Sequence, residues 1–160
     1  MKEPPSSFDR ACDMFVTMAL DAHRADKAID IVELVQDVYL RACGLARIAG
    51  RPLEIAQSER VCSMVTALPP EKRFAIWSRL AIMLVSCGVP FTHRREGSRS
   101  PEEMIANLAG SDLVQSTIEE ILLAYRKRGD HGSFFRAAKF LTREVERGEI
   151  TELLEKGKDQ

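Results

Sequence analysis

A chain of 160 residues, 45% hydrophobic and 29% charged, is long enough to bury one sizeable core and lies far from the high-charge, aliphatic-poor composition of disordered chains. Its net charge of -1 excludes a surface that is basic throughout, as a dedicated nucleic-acid binder would carry. Its four cysteines, Cys12, Cys43, Cys62 and Cys87, stand far apart with no CxxC pair, which excludes a disulfide framework and a zinc site of the usual ligand spacing.

The opening stretch, MKEPPSSFDRACDMF, has two prolines and acidic residues where a secretory signal needs a basic patch and an apolar run, so a cytoplasmic protein is expected. Ser6 and Asp9 have the spacing of a capping box. A first helix is expected from there to about Ala22, with Phe8, Cys12, Phe15, Ala19 and Ala22 turned inward. His23 to Asp26 are polar without Gly or Pro, which leaves open whether the helix turns there. The next helix, about Lys27 to Ala49, reads as the longest: Ile29, Val32, Val35, Tyr39, Cys43 and Ala46 share one face. Its acids come early and its arginines late, as the helix dipole favours, and Asp37 and Arg41 have the spacing of an ion pair. Gly50 and Pro52 stop it. A third helix, about Glu54 to Leu68, presents Ile55, Val61, Cys62, Val65 and Leu68 and ends at Pro69 and Pro70.

The stretch Phe74 to Gly88, FAIWSRLAIMLVSCG, places Phe74, Trp77, Ala81 and Leu84 on one side and is apolar almost all round from Leu80 to Cys87. A helix apolar on every side wants neighbours on every side, so a central rod is expected over about 70-88. The apolar run is too short to span a bilayer. Residues 89-99, VPFTHRREGSR, break the pattern and read as a mobile basic loop. Ser100-Pro101-Glu102-Glu103 then has every mark of a helix start, with both acids assigned to the cap, and this short helix closes at Gly110. Ser111 and Asp112 open a further helix with Leu113, Val114, Ile118, Ile121, Leu122 and Tyr125 inward and Glu119 and Glu120 on a solvated face, ending at Arg126-Lys127-Arg128-Gly129. A helix from about Ser133 to Arg147 turns Phe134, Ala137, Ala138, Leu141 and Val145 inward. A last short one, Thr151 to Lys156, docks through Ile150, Leu153 and Leu154, and residues 1-5 and 157-160 are expected to fray. With no alternating strand pattern and no fixed repeat, the expected fold is all-α: one domain over 1-160, an irregular bundle of about seven to eight helices around the central apolar one.

Charge alternates along the chain: residues 1-40 sum to -4, 41-95 to +6, 96-125 to -5, 126-143 to +5 and 144-160 to -3. Such blocks either match one another inside the fold or leave separate patches outside. Phosphate-cradling and hydrolase motifs are absent from the sequence: there is no GxxxxGK[ST], no GxGxxG after a strand, no GxSxG and no HExxH. Cys12, Cys43 and Cys62 fall on apolar stripes as small hydrophobes. Cys87 and His93 are the one Cys and His close in sequence, but the thiol sits at a helix C-terminus that disfavours an anion, and a buried thiol is the expectation there. No catalytic residue, cofactor or metal is assigned. Residues 101-128 fail as a helix-turn-helix, because Ser116 and Glu119 would fall where apolar residues are needed. Arg94, Arg95, Arg99, Arg126, Lys127, Arg128, Arg136, Lys139 and Arg143 remain as candidates to meet backbone phosphates or an acidic partner, with Arg136, Lys139 and Arg143 expected to form one exposed helical ridge near His131. The expected function is a non-enzymatic helical interaction module, a small subunit or adaptor of a larger bacterial assembly, docking to itself or to another protein. The alternative is a subunit that contacts RNA or single-stranded DNA without reading sequence. No stretch carries the signature of a known family.

Overall fold

The helical periodicity is realised as helices, in a computed structural model that describes residues 4-90, 100-108 and 112-141. They are α1 (Ser7–Asp21), α2 (Ala25–Val32), α3 (Val38–Ala49), α4 (Ile55–Thr66), α5 (Pro70–Cys87), α6 (Pro101–Leu108), α7 (Asp112–Arg128) and α8 (His131–Ala138), with no strand among the described residues. Contacts gather into two compact units, Met1–Met83 and Leu84–Gln160, the division falling inside α5.

In the first unit, Ser6 caps α1 by accepting the N–H of Asp9 at 3.0 Å. The reciprocal half of the capping box is not made, because the Asp9 side chain is used elsewhere. The buried face of α1 is Asp9, Cys12, Val16 and Leu20, one position round from the expected stripe. Phe8 and Phe15 are exposed instead, as is Ala22. Apolar residues occupy both sides of this helix, so spacing alone left the phase undetermined. The chain does turn after Ala22. His23 takes φ 58, its N–H bonds Leu20 O at 3.0 Å, and the Arg24 N–H reaches Ala19 O at 2.8 Å. This is a Schellman motif with histidine standing where glycine usually does.

The expected long helix over Lys27 to Ala49 is two helices. Asp9, only 3% exposed, accepts the backbone N–H of Gln36 at 3.1 Å and of Asp37 at 2.8 Å, while Asp37 accepts the N–H of Leu40 at 2.9 Å as the N-cap of α3. Those bonds satisfy amides that a continuous helix would have used internally, and the chain breaks over Glu33 to Asp37. The Asp37–Arg41 pair is replaced by this cap, and Arg41 keeps a buried Nε without a hydrogen-bond partner. The break also resets the helical phase. Ile29, Val32 and Val35 are buried as expected, but α3 buries Gly44, Leu45, Ile48 and Ala49, leaving Cys43 and Ala46 half-buried and Tyr39 62% exposed under Lys72, whose Nζ is 5.4 Å from the ring centroid. Gly44 packs against α2 so closely that a Cβ there would stand 2.8 Å from Val32 Cγ2. In α4, Val61, Cys62, Met64 and Val65 are buried and Leu68 follows, whereas Ile55 in the first turn is exposed. Gln57 Oε1 caps the N–H of Glu54 at 2.9 Å.

In α5 the buried residues are Ile76, Trp77, Leu80, Ala81, Leu84 and Val85, a one-sided stripe. Phe74, Ile82 and Met83 are half-buried, and Ser86 and Cys87 are exposed. The helix is therefore open on one side rather than enclosed as a rod apolar all round would be. Among the described residues, no helix is long and apolar enough to cross a membrane.

In the second unit, Ser100 Oγ accepts the Glu103 N–H at 3.3 Å and starts α6 as expected. The inward residues expected of α7 are buried from Val114 to Tyr125, and those of α8 from Phe134 to Leu141. The helix expected over Ser133 to Arg147 is shorter, α8 running from His131 to Ala138, where Lys139 caps it. The loop at 91-99, the stop at Gly110, Val145 and the helix at Thr151 to Lys156 lie outside the described residues.

Candidate functional site

The charge blocks meet one another. Arg47 on α3 reaches Asp13 and Thr17 on α1, Arg51 lies 3.9 Å from Asp21, and Arg60 on α4 holds Asp30 on α2 at 3.0 Å and Glu33, the C-cap of α2, at 2.7 Å. The acids beside Arg60, Glu33 first, hold its guanidinium above its ordinary pKa. The pairs of Arg51 and Arg60 are largely exposed and contribute at most about 1 kcal/mol each, that of Arg47 with Asp13 is part-buried, and together they match the acidic first block to the basic second.

The first unit also leaves a large apolar face open. α1 packs against α2 and α3 through Cys12, Val16 and Leu20, and its other side presents Phe8, Met14, Phe15 and Met18 at 57%, 56%, 48% and 55% exposure. With Ala11 and Ala22, Phe8, Phe15 and Met18 follow a spacing of three and four, which places them along one face. A single exposed hydrophobe needs no explanation, whereas four large ones on one helix face make a patch of the kind that marks an interaction surface. Methionine suits such a face because its unbranched chain adapts to different shapes.

The second unit holds a polar cluster that the sequence reading missed. Glu102 is 0% exposed; its Oε2 accepts the Tyr125 hydroxyl at 2.9 Å and its Oε1 accepts Arg136 Nε at 3.0 Å. The acid expected to serve the cap of α6 thus ties that helix to α7 and α8. The available signal was position: Glu102 stands three residues before Ile105 and shares its buried face. Burial first, then the negative charge of Glu102, pushes the Tyr125 phenol above its ordinary range. Burial works against the charge of Arg136, but the hydrogen bond and charge of Glu102 outweigh it and raise the guanidinium pKa. Nearby, Asp130 caps α8 by accepting the Ser133 N–H at 3.1 Å, and that bonding with Ser133 lowers its pKa, helped by Arg128 and Arg136.

Arg128 Nη1 donates to Val85 O at 3.1 Å, and its guanidinium covers Gly88, where φ is 69 and a Cβ would stand 2.9 Å from Nη2. Arg128 and Arg136 line a cavity of ≈ 280 Å³ with Leu84, Val89, Ser100 and Tyr125. Each guanidinium is held along one edge by a protein acceptor and can offer its remaining donors to an anion.

Of the nine basic candidates, Arg126, Lys127 and Lys139 are exposed, Arg128 and Arg136 are engaged as described, and Arg94, Arg95, Arg99 and Arg143 lie outside the described residues. The ridge of Arg136, Lys139 and Arg143 is not carried by one helix, since α8 ends before Lys139 and Arg136 is paired to a buried acid.

The cysteines differ from one another. Cys12 and Cys62 are buried and Cys43 half-buried, but Cys87, the last residue of α5, is exposed along with Ser86 and Gly88 beside it, contrary to the expectation of a buried thiol. Burial pushes the Cys62 thiol up to about 12 from 9.0, with Glu59 adding to the effect. At pH 8 the buried thiol keeps its proton. An aromatic disulfide reagent should therefore modify Cys87 rapidly in the native protein and reach Cys62 only on unfolding; equal rates would contradict the burial. Because the folded thiol keeps its proton to higher pH than the unfolded one, its contribution to stability is complete below pH 9 and is lost as pH rises toward 12. Among the described residues, no group of three or more His, Cys, Asp or Glu is placed to hold a metal ion.

No protein-family model, curated protein or solved structure matches the chain.

Proposed function

We propose that the chain is a non-enzymatic helical interaction module, a small subunit or adaptor that works by docking to protein, and that the outer face of α1 is the docking surface. The observation that carries this reading is the set of four large apolar side chains left about half exposed on a helix whose opposite face is already packed. Covering the exposed half of Phe8, Met14, Phe15 and Met18 would contribute on the order of 4 kcal/mol before the costs of association. The charge matching supports it indirectly. Of the basic candidates for a phosphate backbone, Arg136 is beside a buried acid and Arg128 is turned to the Val85 carbonyl, so less uncompensated cation remains than the sequence suggested.

A photo-reactive phenylalanine analogue placed at Phe15, in the full chain expressed in its native host, should yield a covalent adduct with protein. The control position is Thr17, which is exposed on the same helix but away from the apolar stripe. Absence of a Phe15-specific protein adduct, or an adduct with RNA in its place, would remove the reading. The variant carrying Phe15→Asp and Met18→Asp should lose the adduct of a reporter at Met14 while its unfolding free energy changes by less than about 1 kcal/mol, since both side chains are outward.

A further inference from the structure

Arg10 and Asp21 are both exposed, at opposite ends of α1. They stand eleven residues apart, close to three whole turns, so they lie on the same flank of the helix, the flank that also carries Met14. The apolar face between them runs from Phe8 to Ala22 and has Phe15 at its middle. Turning a second α1 about a two-fold axis near Phe15 sets the two helices antiparallel with like flanks facing. It brings each Arg10 opposite the Asp21 of the other copy and each Phe8 over the other copy's apolar far end. A surface that is apolar at its middle and oppositely charged at its two ends is complementary to itself under that rotation and under no parallel one. A parallel pairing keeps Arg10 and Asp21 of the two copies about three turns apart along the axis, so the opposite charges do not meet.

The geometry points to a second copy of this chain as the occupant of the α1 face, in an antiparallel, isologous pair held by Phe8, Met14, Phe15 and Met18 and registered by reciprocal Arg10–Asp21 contacts. This rests on the docking role of α1 proposed above and names the partner. Asp21 is available for it: its side chain is 73% exposed, and its approach to Arg51 is 3.9 Å. Two helices of 15 residues pairing along these faces bury roughly 1,000 Å² in total, at the small end of specific interfaces, so the dimer is weak and concentration-dependent.

Sedimentation equilibrium of the purified full chain tests this. The parent should show a monomer–dimer equilibrium with a dissociation constant on the order of 10 μM. Arg10→Asp should weaken it at least tenfold, by setting two acids against each other. Arg10→Asp combined with Asp21→Arg should restore it to within about threefold of the parent, since the swapped charges pair again. A chain that stays monomeric at high concentration overturns the proposal, as does a dimer indifferent to Arg10→Asp or one that the double exchange fails to restore. Circular dichroism of each variant shows whether the helices are intact, and both positions are exposed, so the variants report on pairing. The two readings fail separately. A monomeric parent whose Phe15 position still captures a different protein removes self-pairing and leaves docking in place, whereas a dimer unaffected by Phe15→Asp removes the α1 face itself.

Discussion

Asp9→Ala should lower the stability of the chain by about 3 kcal/mol, the largest loss expected from any acidic position in the first unit. The carboxylate is buried and accepts two backbone N–H groups, those of Gln36 and Asp37. Hydrogen bonds to a charged acceptor contribute about 1.5–3 kcal/mol each, and the lower part of that range applies because Gln36 and Asp37 have some access to water. Asp9→Asn keeps one acceptor oxygen and should cost about half as much. The loss should be visible as a shift in the urea midpoint without a change in slope, and amide exchange at Gln36 and Asp37 should accelerate more than at Leu45 or Ile48. If Asp9→Ala costs under about 1 kcal/mol, the break between α2 and α3 has another cause.

Arg136→Met should cost about 2–3 kcal/mol in the second unit. Removing one partner of a buried ion pair usually costs about 3–5 kcal/mol, because the other charge is stranded. The Arg136 side chain is 55% exposed, however, so water replaces part of what is lost, although Glu102 itself is fully buried. The informative comparison is with Glu102→Gln. Taken alone it removes the charge that Arg136 answers, but placed on top of Arg136→Met it should recover about 1–2 kcal/mol, since the stranded charge is then gone while Tyr125 keeps an acceptor. Additive losses in the double variant would mean that Glu102 and Arg136 do not act as a pair.

These two acids mark where reading the sequence stopped short. Asp9 and Glu102 both follow a residue suited to cap a helix, and both were assigned to that local role, which for Asp9 is met only through its backbone N–H. Their position on a buried face, three residues before Cys12 and Ile105 respectively, carried the other meaning. The all-helical character was legible throughout, because apolar spacing in α2, α4, α7 and α8 has one dominant face and the caps at Ser6 and Ser100 are strong local signals. In α1 the choice between two apolar faces depends on what packs against it, and the bulkier one faces out. In α5 local apolarity overstated how much of the helix would be covered. The basic ridge was drawn by extending a helix past Ala138, and no side-chain spacing could show that Arg136 would turn to a buried acid 34 residues earlier.

The stop between α2 and α3 comes from an acid 27 and 28 residues upstream. An excised peptide covering residues 25-49 has nothing upstream to claim the amides of Gln36 and Asp37, and keeps only the local cap of Asp37 on Leu40 to mark the corner. Its bend is thus a conditional property, acquired when the preceding segment folds back alongside. During synthesis the early part of the chain arrives first and waits, and the corner is cut only once the later part has emerged to meet it.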